Sequence, residues 1–452
     1  MSVLSKLIRT LGKRPGISIS GSFLIIIFIG AGLLSLPIAT ATADGISFID
    51  AVFTATSATC VTGLVVRETG QSFSTFGQVV ILLLIQIGGL GIMTLAGFFG
   101  AVFAGRISVA QQAAVKETME VTTVGEIRRL LLFIVIVALS LEALGFFILL
   151  SVFLKTTDNI GTALYYSAFH SISAYCNAGF FLFTDSLVDY RDNPVVNFTV
   201  TSLVILGGLG FYVLFNLYYS FLSLFRKKHE GGITLHSKMV LITTVILIVL
   251  GAACFYAFER NNVLATLEPF DQFQVSYFQS ITARTCGFRT VDVVDLASST
   301  LLLLMFLMFV GGSPGGTAGG IKTMALLLFV AATYSFLRGR EEVILFGRTI
   351  PMSIIRRAFA ILICACTVIL ISSIILLYTE AAEFEQIIFE VFSAFGTVGL
   401  SSGITPELSL AGKIVVTVLM FIGRLGPMTL ALVLIKGRVQ RVSYPKEKVA
   451  VG

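Results

Sequence analysis

Four short stretches of this 452-residue chain each end in a glycine followed by Leu or Phe. They are Ser57-Ala58-Thr59-Cys60-Val61-Thr62-Gly63-Leu64, Ser173-Ala174-Tyr175-Cys176-Asn177-Ala178-Gly179-Phe180, Thr282-Ala283-Arg284-Thr285-Cys286-Gly287-Phe288 and Ser393-Ala394-Phe395-Gly396-Thr397-Val398-Gly399-Leu400. What four copies can offer is backbone. Carbonyl oxygens from four loops around one axis can replace the hydration shell of a permeating cation. Glycine suits such a loop because it adopts backbone angles that other residues resist.

A second motif follows each loop: Ile87-Gly88-Gly89-Leu90-Gly91, Leu206-Gly207-Gly208-Leu209-Gly210, Val310-Gly311-Gly312-Ser313-Pro314-Gly315 and Ile422-Gly423-Arg424-Leu425-Gly426. Its first glycine lies 24 to 28 residues after the loop glycine. Two linked motifs at one spacing, four times over, mark an internal repeat. For Gly88, Gly91, Gly207 and Gly210 the expectation is tight helix packing, since small residues let helices approach in membranes.

The elements that would hold these loops are apolar spans. The chain is 56% hydrophobic and only 12% charged, too little charge for a soluble surface. Apolar stretches run roughly over 18–39, 77–104, 130–154, 196–225, 239–257, 299–336, 358–378 and 410–435, each long enough to cross hydrocarbon as a helix of about 20 residues. Ala39-Thr40-Ala41 resembles a cleavage site, but the apolar run before it is too long for a signal peptide. Segments 1–16, 105–129, 226–238, 337–357 and 436–452 hold 22 of the 31 Lys and Arg. They fall at alternate ends of the spans, so the positive-inside rule puts both termini in the cytoplasm. The net charge of +6 therefore reports topology and gives no reason to expect a nucleic-acid partner.

Between each odd and even span lies a segment too short and polar to cross again, ending in the loop motif. Non-helical backbone is tolerated at membrane depth only where it lines a water-filled path or is buried in protein, so a re-entrant loop implies a pore. The short helices before the loops point their partially negative C-terminal ends inward, which favours a cation. Asp44, Asp50, Asp271 and Glu385 near their starts complement the opposite ends.

The expected fold is an all-α integral membrane protein: four parallel helix–pore loop–helix repeats, eight transmembrane helices around one pore. Repeats would span 17–104, 129–225, 238–337 (with a broken second helix) and 357–435. Cytoplasmic segments would be 1–16, 105–128, 226–237, 338–356 and 436–452.

The loops Thr59–Gly63, Tyr175–Gly179, Ala283–Gly287 and Phe395–Gly399 resemble degenerate K⁺-channel filters. One such glycine per repeat is similar to the Trk/Ktr/HKT superfamily of K⁺ transporters over nearly the whole chain. With about 16 residues before the first span and no extra helix pair there, the likeness is to the bacterial Ktr branch. All four positions are Gly, unlike the Na⁺-preferring plant members with Ser in the first loop.

The resemblance implies K⁺ coordinated by carbonyls just before Gly63, Gly179, Gly287 and Gly399. It implies a homodimer in the bacterial plasma membrane, in contact with lipid, and a cytoplasmic ring of nucleotide-binding (RCK-type) subunits docked on the basic segments. It leaves Na⁺ activation open. Nucleotide would act only through that partner, since the chain has no Walker A sequence, and no covalent cofactor is expected. No loop has the full channel signature, which predicts weaker selectivity.

Arg284 inside the third loop is expected to turn from the axis and meet a carboxylate. Cys60, Cys176 and Cys286 are read as small residues behind the carbonyls. Gly311-Gly312-Ser313-Pro314-Gly315-Gly316-Thr317-Ala318-Gly319-Gly320 cannot hold a regular helix, and the resemblance makes it an intramembrane loop obstructing the pore. Lys322 is expected to snorkel to the cytoplasmic surface. Arg424, expensive in the middle of a span, is expected to anchor that loop, present a positive barrier and form the gate with it.

His170, His229 and His236 form no metal-ligand pattern, and no enzyme signature is present. Asn197-Phe198-Thr199 has the form of a glycosylation sequon but lies inside a span. The alternatives are a Na⁺-preferring conductance and a coupled secondary transporter. The latter predicts inverted repeats and midplane acids, against the parallel repeats and scarce intramembrane carboxylates read here.

Overall fold

The computed structural model describes residues 15–41, 45–91, 94, 124–225 and 232–426. The expected cytoplasmic segments at 1–14, 105–123, 226–231 and 436–452, and Asp44, lie outside the described residues. One order of elements recurs. Helix α1 (Pro15–Leu34), short helix α2 (Phe48–Thr59) and α3 (Thr75–Leu90) come first. Then follow α4 (Val124–Thr156), α5 (Ile160–Tyr175), α6 (Pro194–Gly208) and α7 (Phe211–Phe225). Next are α8 (Leu235–Glu259), α9 (Pro269–Thr282), α10 (Ser298–Phe309) and α11 (Thr323–Leu337). A hairpin, β1 (Val343–Leu345) and β2 (Arg348–Ile350), leads to α12 (Met352–Thr379), α13 (Phe384–Gly396) and α14 (Leu410–Leu425).

Local chemistry sets the starts of these helices. Ser47, Asn159 and Glu383 cap α2, α5 and α13, and Pro269 opens α9. Such caps satisfy N–H groups that the first turn leaves without partners. Asp50, Asp271 and Glu385 sit in first turns, where a negative charge meets the positive end of the helix dipole. Outside the helices, Glu380 accepts the N–H and hydroxyl of Ser409. Burial pushes its carboxyl upward, but the hydrogen bonds from Ser409, Thr379 and Gly412 outweigh that and hold it below its ordinary value.

Packing closes the arrangement on itself. Each long first helix lies on its own short helix: α1 on α2, α4 on α5, α8 on α9, α12 on α13. Each later helix then packs on the short helix of the next unit: α3 on α5, α6 on α9, α10 on α13, and α14 back on α2. The short helices are therefore interior, and each buries a phenylalanine nine or ten residues before its loop glycine (Phe53, Phe169, Phe278, Phe389). Outward, α1, α4, α8 and α12 expose Ile25, Phe28, Phe147, Val249 and Leu370. That much apolar surface requires hydrocarbon rather than water around it.

Among the described residues the apolar helices differ in length. By length and composition 129–156, α8 and α12 can each cross a membrane, and α6 with α7 makes a fourth if the bent pair is one span. Within α1, residues 19–34 form a shorter apolar helix, as do α3, α10 and α11. The break expected at 311–320 separates α10 from α11, but the stretch at 196–225 is broken too, by a 97° bend between α6 and α7. The bend has a cause: Gly210 takes a left-handed φ of 91°, and the Phe211 N–H leaves the helix ladder for the Gly315 carbonyl at 3.0 Å.

One ion pair ties the last unit to the first. Lys413 Nζ on α14 lies 2.7 Å from Asp50 on α2, with Arg67 at 4.0 Å. Asp50 is buried and Lys413 half-buried. Removing one partner of a buried pair strands the other charge. Lys413→Met should therefore cost about 3 kcal/mol of stability, read as a lower unfolding temperature in detergent. Asp50→Asn with Lys413→Met should recover most of it. A single variant as stable as the unmodified chain would refute this account.

Candidate functional site: a ring of four loops

Each short helix ends in its loop, and the four loops share one backbone conformation. The glycine is left-handed in all four, with φ of 92° at Gly63, 68° at Gly179, 80° at Gly287 and 92° at Gly399. The residue two before it is left-handed as well: Val61, Asn177, Thr285 and Thr397. Non-glycine residues rarely adopt this region, so its appearance at one position in all four loops is a shared constraint. Alternating left- and right-handed residues turns successive carbonyls toward one side of the loop.

Hydrogen bonds fix the other side. The N–H of the residue before each glycine points back to its own short helix: Thr62 to Ser57, Ala178 to Ser173, Cys286 to Thr282 and Val398 to Ser393, at 2.8–2.9 Å. Helix hydroxyls add to this hold. Ser57 and Ser393 accept from the N–H of Gly63 and Gly399 at 3.1 Å, and Ser173 and Thr282 donate to Phe180 and Phe288.

The loops meet. A Cβ on Gly63 would lie 2.6 Å from the Ala178 carbonyl oxygen, and one on Gly179 would lie 2.5 Å from that of Cys286. One on Gly287 would overlap the Val398 carbonyl, and one on Gly399 that of Thr62. Each glycine thus abuts the carbonyl just before the next glycine, in the order 63, 179, 287, 399 and back to 63. Among the described residues, none of these four carbonyls accepts a hydrogen bond. On one side of the ring a cavity of about 270 Å³ is lined by Gly63, Gly287 and Gly399 together with Leu64, Leu400 and Arg289.

On the other side lies segment 311–320. Ser313 N–H and Thr317 N–H donate to Gly208 and Gly207 at 2.9 and 3.1 Å, and Thr323 N–H returns to Gly312. Thr317 Oγ1 donates to Asn177 Oδ1 at 3.1 Å, and Asn177 Nδ2 reaches Thr285 Oγ1 at 3.5 Å. A Cβ on Gly319 would strike the Thr397 side chain. The segment therefore touches the second, third and fourth loops directly. Arg424 adds the first unit: Nη1 donates to the Thr317 carbonyl, and Nη2 to the carbonyls of Gly88 and, at 3.5 Å, Gly89.

Three expectations change here. Arg284 meets no carboxylate among the described residues; it is buried, and Nη2 lies 3.5 Å from the Gly311 carbonyl. A carbonyl at the negative end of a peptide dipole serves where no acid is within reach. Lys322 turns back to the Ala318 carbonyl at 2.6 Å, where a loop carbonyl takes its charge. Gly91 makes no close packing contact among the described residues, where a Cβ would meet nothing nearer than 3.6 Å, and its φ of 82° ends α3. Gly88, Gly207 and Gly423 do pack, each on the carbonyl of the first loop residue of its own unit: Thr59, Tyr175 and Phe395.

The loop cysteines Cys60, Cys176 and Cys286 are free and buried; Cys176 donates to Gln86 Oε1 at 3.6 Å. Buried carboxylates are more numerous than the sequence suggested, but each is occupied. Glu142 accepts from Gln86, Glu390 from Ser401 and Thr405, and Glu259 from Thr300, Asn262 and the Ala297 N–H. Among the described residues no three His, Cys, Asp or Glu converge to hold a metal ion. His170 is buried under Phe183 with Nδ1 on the Tyr166 carbonyl. A lone polar residue inside an apolar stretch was the signal for Glu142 and Gln86, but it named no partner.

Comparison with known proteins shows the family and the fold. A family model described as cation transport protein (TrkH) matches residues 22–441. The Ktr system potassium uptake protein B of Vibrio alginolyticus is 39% identical over 437 residues, covering 95% of this chain and 93% of that protein. The potassium/sodium uptake protein NtpJ of Enterococcus hirae is 36% identical over the full length of both. Among solved structures, the potassium transporter TrkH from Vibrio parahaemolyticus superposes with a TM-score of 0.67 over 92% of this chain and 85% of that one, at 21% identity.

Proposed function

The chain belongs to the TrkH family of cation transport proteins, and from that premise we propose that K⁺ enters the cell through the ring at Gly63, Gly179, Gly287 and Gly399. It is a potassium uptake transporter of the Ktr/TrkH type. The observation that carries the finer reading is the closed ring of four carbonyls, of Thr62, Ala178, Cys286 and Val398, that have no hydrogen-bond partner among the described residues. Buried carbonyls are almost always paired. Four left free around one axis are oxygens suited to replace a cation's hydration shell. The buried hydroxyls of Thr59, Thr62 and Thr397 are, among the described residues, also without hydrogen-bond partners.

In this reading the four units are parallel repeats with both termini in the cytoplasm of a bacterium. The loops Thr59–Gly63, Tyr175–Gly179, Ala283–Gly287 and Phe395–Gly399 are the selectivity filter. Segment 311–320, held by Arg424, is the gate. The membrane potential drives entry with about 2.3 kcal/mol per charge per 100 mV, so the chain itself need hydrolyse nothing. The chain works as a homodimer beneath which a nucleotide-binding ring docks.

The test is growth of a K⁺-uptake-deficient bacterium on limiting K⁺, with this chain expressed with and without a regulatory ring subunit. Rescue that depends on the ring supports the reading. Absence of rescue with the protein present in the membrane refutes it. A second reading, a Na⁺-preferring conductance, draws on the name of the potassium/sodium uptake relative. Uptake of radioactive sodium exceeding that of rubidium in the same cells would favour it. Coupled transport gains nothing from Glu142, Glu259 and Glu390, whose oxygens are already engaged.

A further inference from the structure

The hairpin 343–350 joins α11 to α12, and three of its properties have no use in the ring or its obstruction. The first is its position. Val343 is buried, and with Leu345 and Ile350 it packs against Ala332, Ile355 and Phe359. Ala332 lies five residues inside the end of α11 and Phe359 seven residues inside the start of α12. At 1.5 Å per residue the hairpin is laid back about 7–10 Å along the helix pair rather than projecting beyond it.

The second is strain. The turn residues Phe346 and Gly347 are both left-handed, with φ of 50° and 74°, as a two-residue hairpin turn demands. Asn, Asp or Gly is the usual first residue of such a turn, because a bulky side chain resists this backbone. Here it is a phenylalanine, and it is 56% exposed. Beside it Ile344 points outward at 53% and Leu337 at 82%. Strained backbone of this kind clusters at functional positions such as ligand clamps, and here it sits at an exposed apolar tip.

The third is charge. Arg338, Arg340, Arg348, Arg356 and Arg357 are exposed here against Glu341 and Glu342. None of these arginines forms an ion pair among the described residues. Arg338 instead lies over the Tyr334 ring at 4.6 Å, an aromatic and basic pairing found where a helix leaves the bilayer.

We infer that the 338–350 hairpin is an anchor for anionic phospholipid: Phe346 and Ile344 enter the boundary between headgroups and acyl chains, and the arginines bind headgroup phosphates. Guanidinium forks match phosphate geometry, and a net positive segment is drawn to an anionic leaflet. Because α11 runs straight from segment 311–320, the anchor also fixes the far end of the helix that carries that segment. The inference rests on the reading that α11 and α12 end at one membrane face.

The chain has no tryptophan, so Phe346→Trp supplies a single reporter at the tip. The protein is reconstituted in phosphatidylcholine with and without phosphatidylglycerol, and acyl chains brominated at mid-depth serve as quencher. The expected result is blue-shifted emission that falls by about half with brominated lipid when phosphatidylglycerol is present, as for a ring 5–10 Å below the headgroups. Arg340→Gln with Arg348→Gln should remove the dependence on phosphatidylglycerol. Leu370→Trp, in the exposed middle of α12, is the control for topology: if it is not quenched, the membrane placement of α12 fails. If Leu370→Trp is quenched while Phe346→Trp stays red-shifted and open to iodide, the anchor is wrong. Shielding of Phe346→Trp only on adding a regulatory subunit would likewise overturn it, in favour of a protein partner.

Discussion

Gly287→Ala should lower rubidium uptake into proteoliposomes by about 100-fold at equal protein, and the other three ring glycines should behave alike. Two costs combine. A left-handed backbone costs an L-residue about 1–2 kcal/mol. The new Cβ would also overlap the Val398 carbonyl, and that peptide cannot yield without carrying away an oxygen the ion needs. Together they reach roughly 3 kcal/mol, and each 1.4 kcal/mol is about tenfold. Gly45→Ala separates the two costs, since Gly45 has a φ of 66° but, among the described residues, nothing within 4 Å of its would-be Cβ. It should keep nearly full uptake. If Gly287→Ala did the same, the ring would not be the path.

Arg424→Ala should raise uptake several-fold and weaken its dependence on a regulatory subunit, and deletion of 314–319 should do so more strongly. The guanidinium spans the Thr317 carbonyl on the obstructing segment and the Gly88 carbonyl at the end of α3. Without it, one clamp on the segment is gone, and so is a positive charge near the axis, which repels K⁺ at any distance short of a Debye length. Arg424→Lys should fall between, because an ammonium keeps the charge but lacks the rigid fork that reaches several carbonyls at once. Flux measured in vesicles at matched protein content decides the matter. Unchanged uptake in both the Ala variant and the deletion would remove the gate from the mechanism.

The parts of this architecture legible in the sequence are those written in local chemistry. Four glycines before Leu or Phe pointed to four loops because such a position needs left-handed backbone, and all four have it. The run of glycines at 311–320 could not be helix, and α10 and α11 stop on either side of it. What escaped is what distant contacts impose. The 97° bend after α6 is set by the Gly315 carbonyl, more than a hundred residues away along the chain. Arg284 and Lys322 were assigned partners by charge, an acid and water, when the nearest acceptors were backbone carbonyls. Lys413 and Asp50 stand 363 residues apart, beyond any periodicity. The hairpin was read as a cytoplasmic loop, because Val-Ile-Leu and Arg-Thr-Ile show no polar–apolar alternation and the turn between them begins with Phe346 in place of Asn, Asp or Gly.

The closing contact of α14 on α2 has a consequence for what such a ring can contain. A pore assembled from four identical subunits receives every residue in quadruplicate. Four copies of segment 311–320 would compete for one axis, and four copies of Arg424 would crowd it with guanidinium charge. Because all four quarters here come from one polypeptide, each can diverge alone. The third contributes segment 311–320, the fourth the arginine that grips it, the second the Asn177 amide that joins it to the loops, and the first the carbonyls at Gly88 and Gly89. Covalent continuity thus permits a single-copy stopper in a pore with fourfold ancestry of form, and a mutation in any one quarter is felt once.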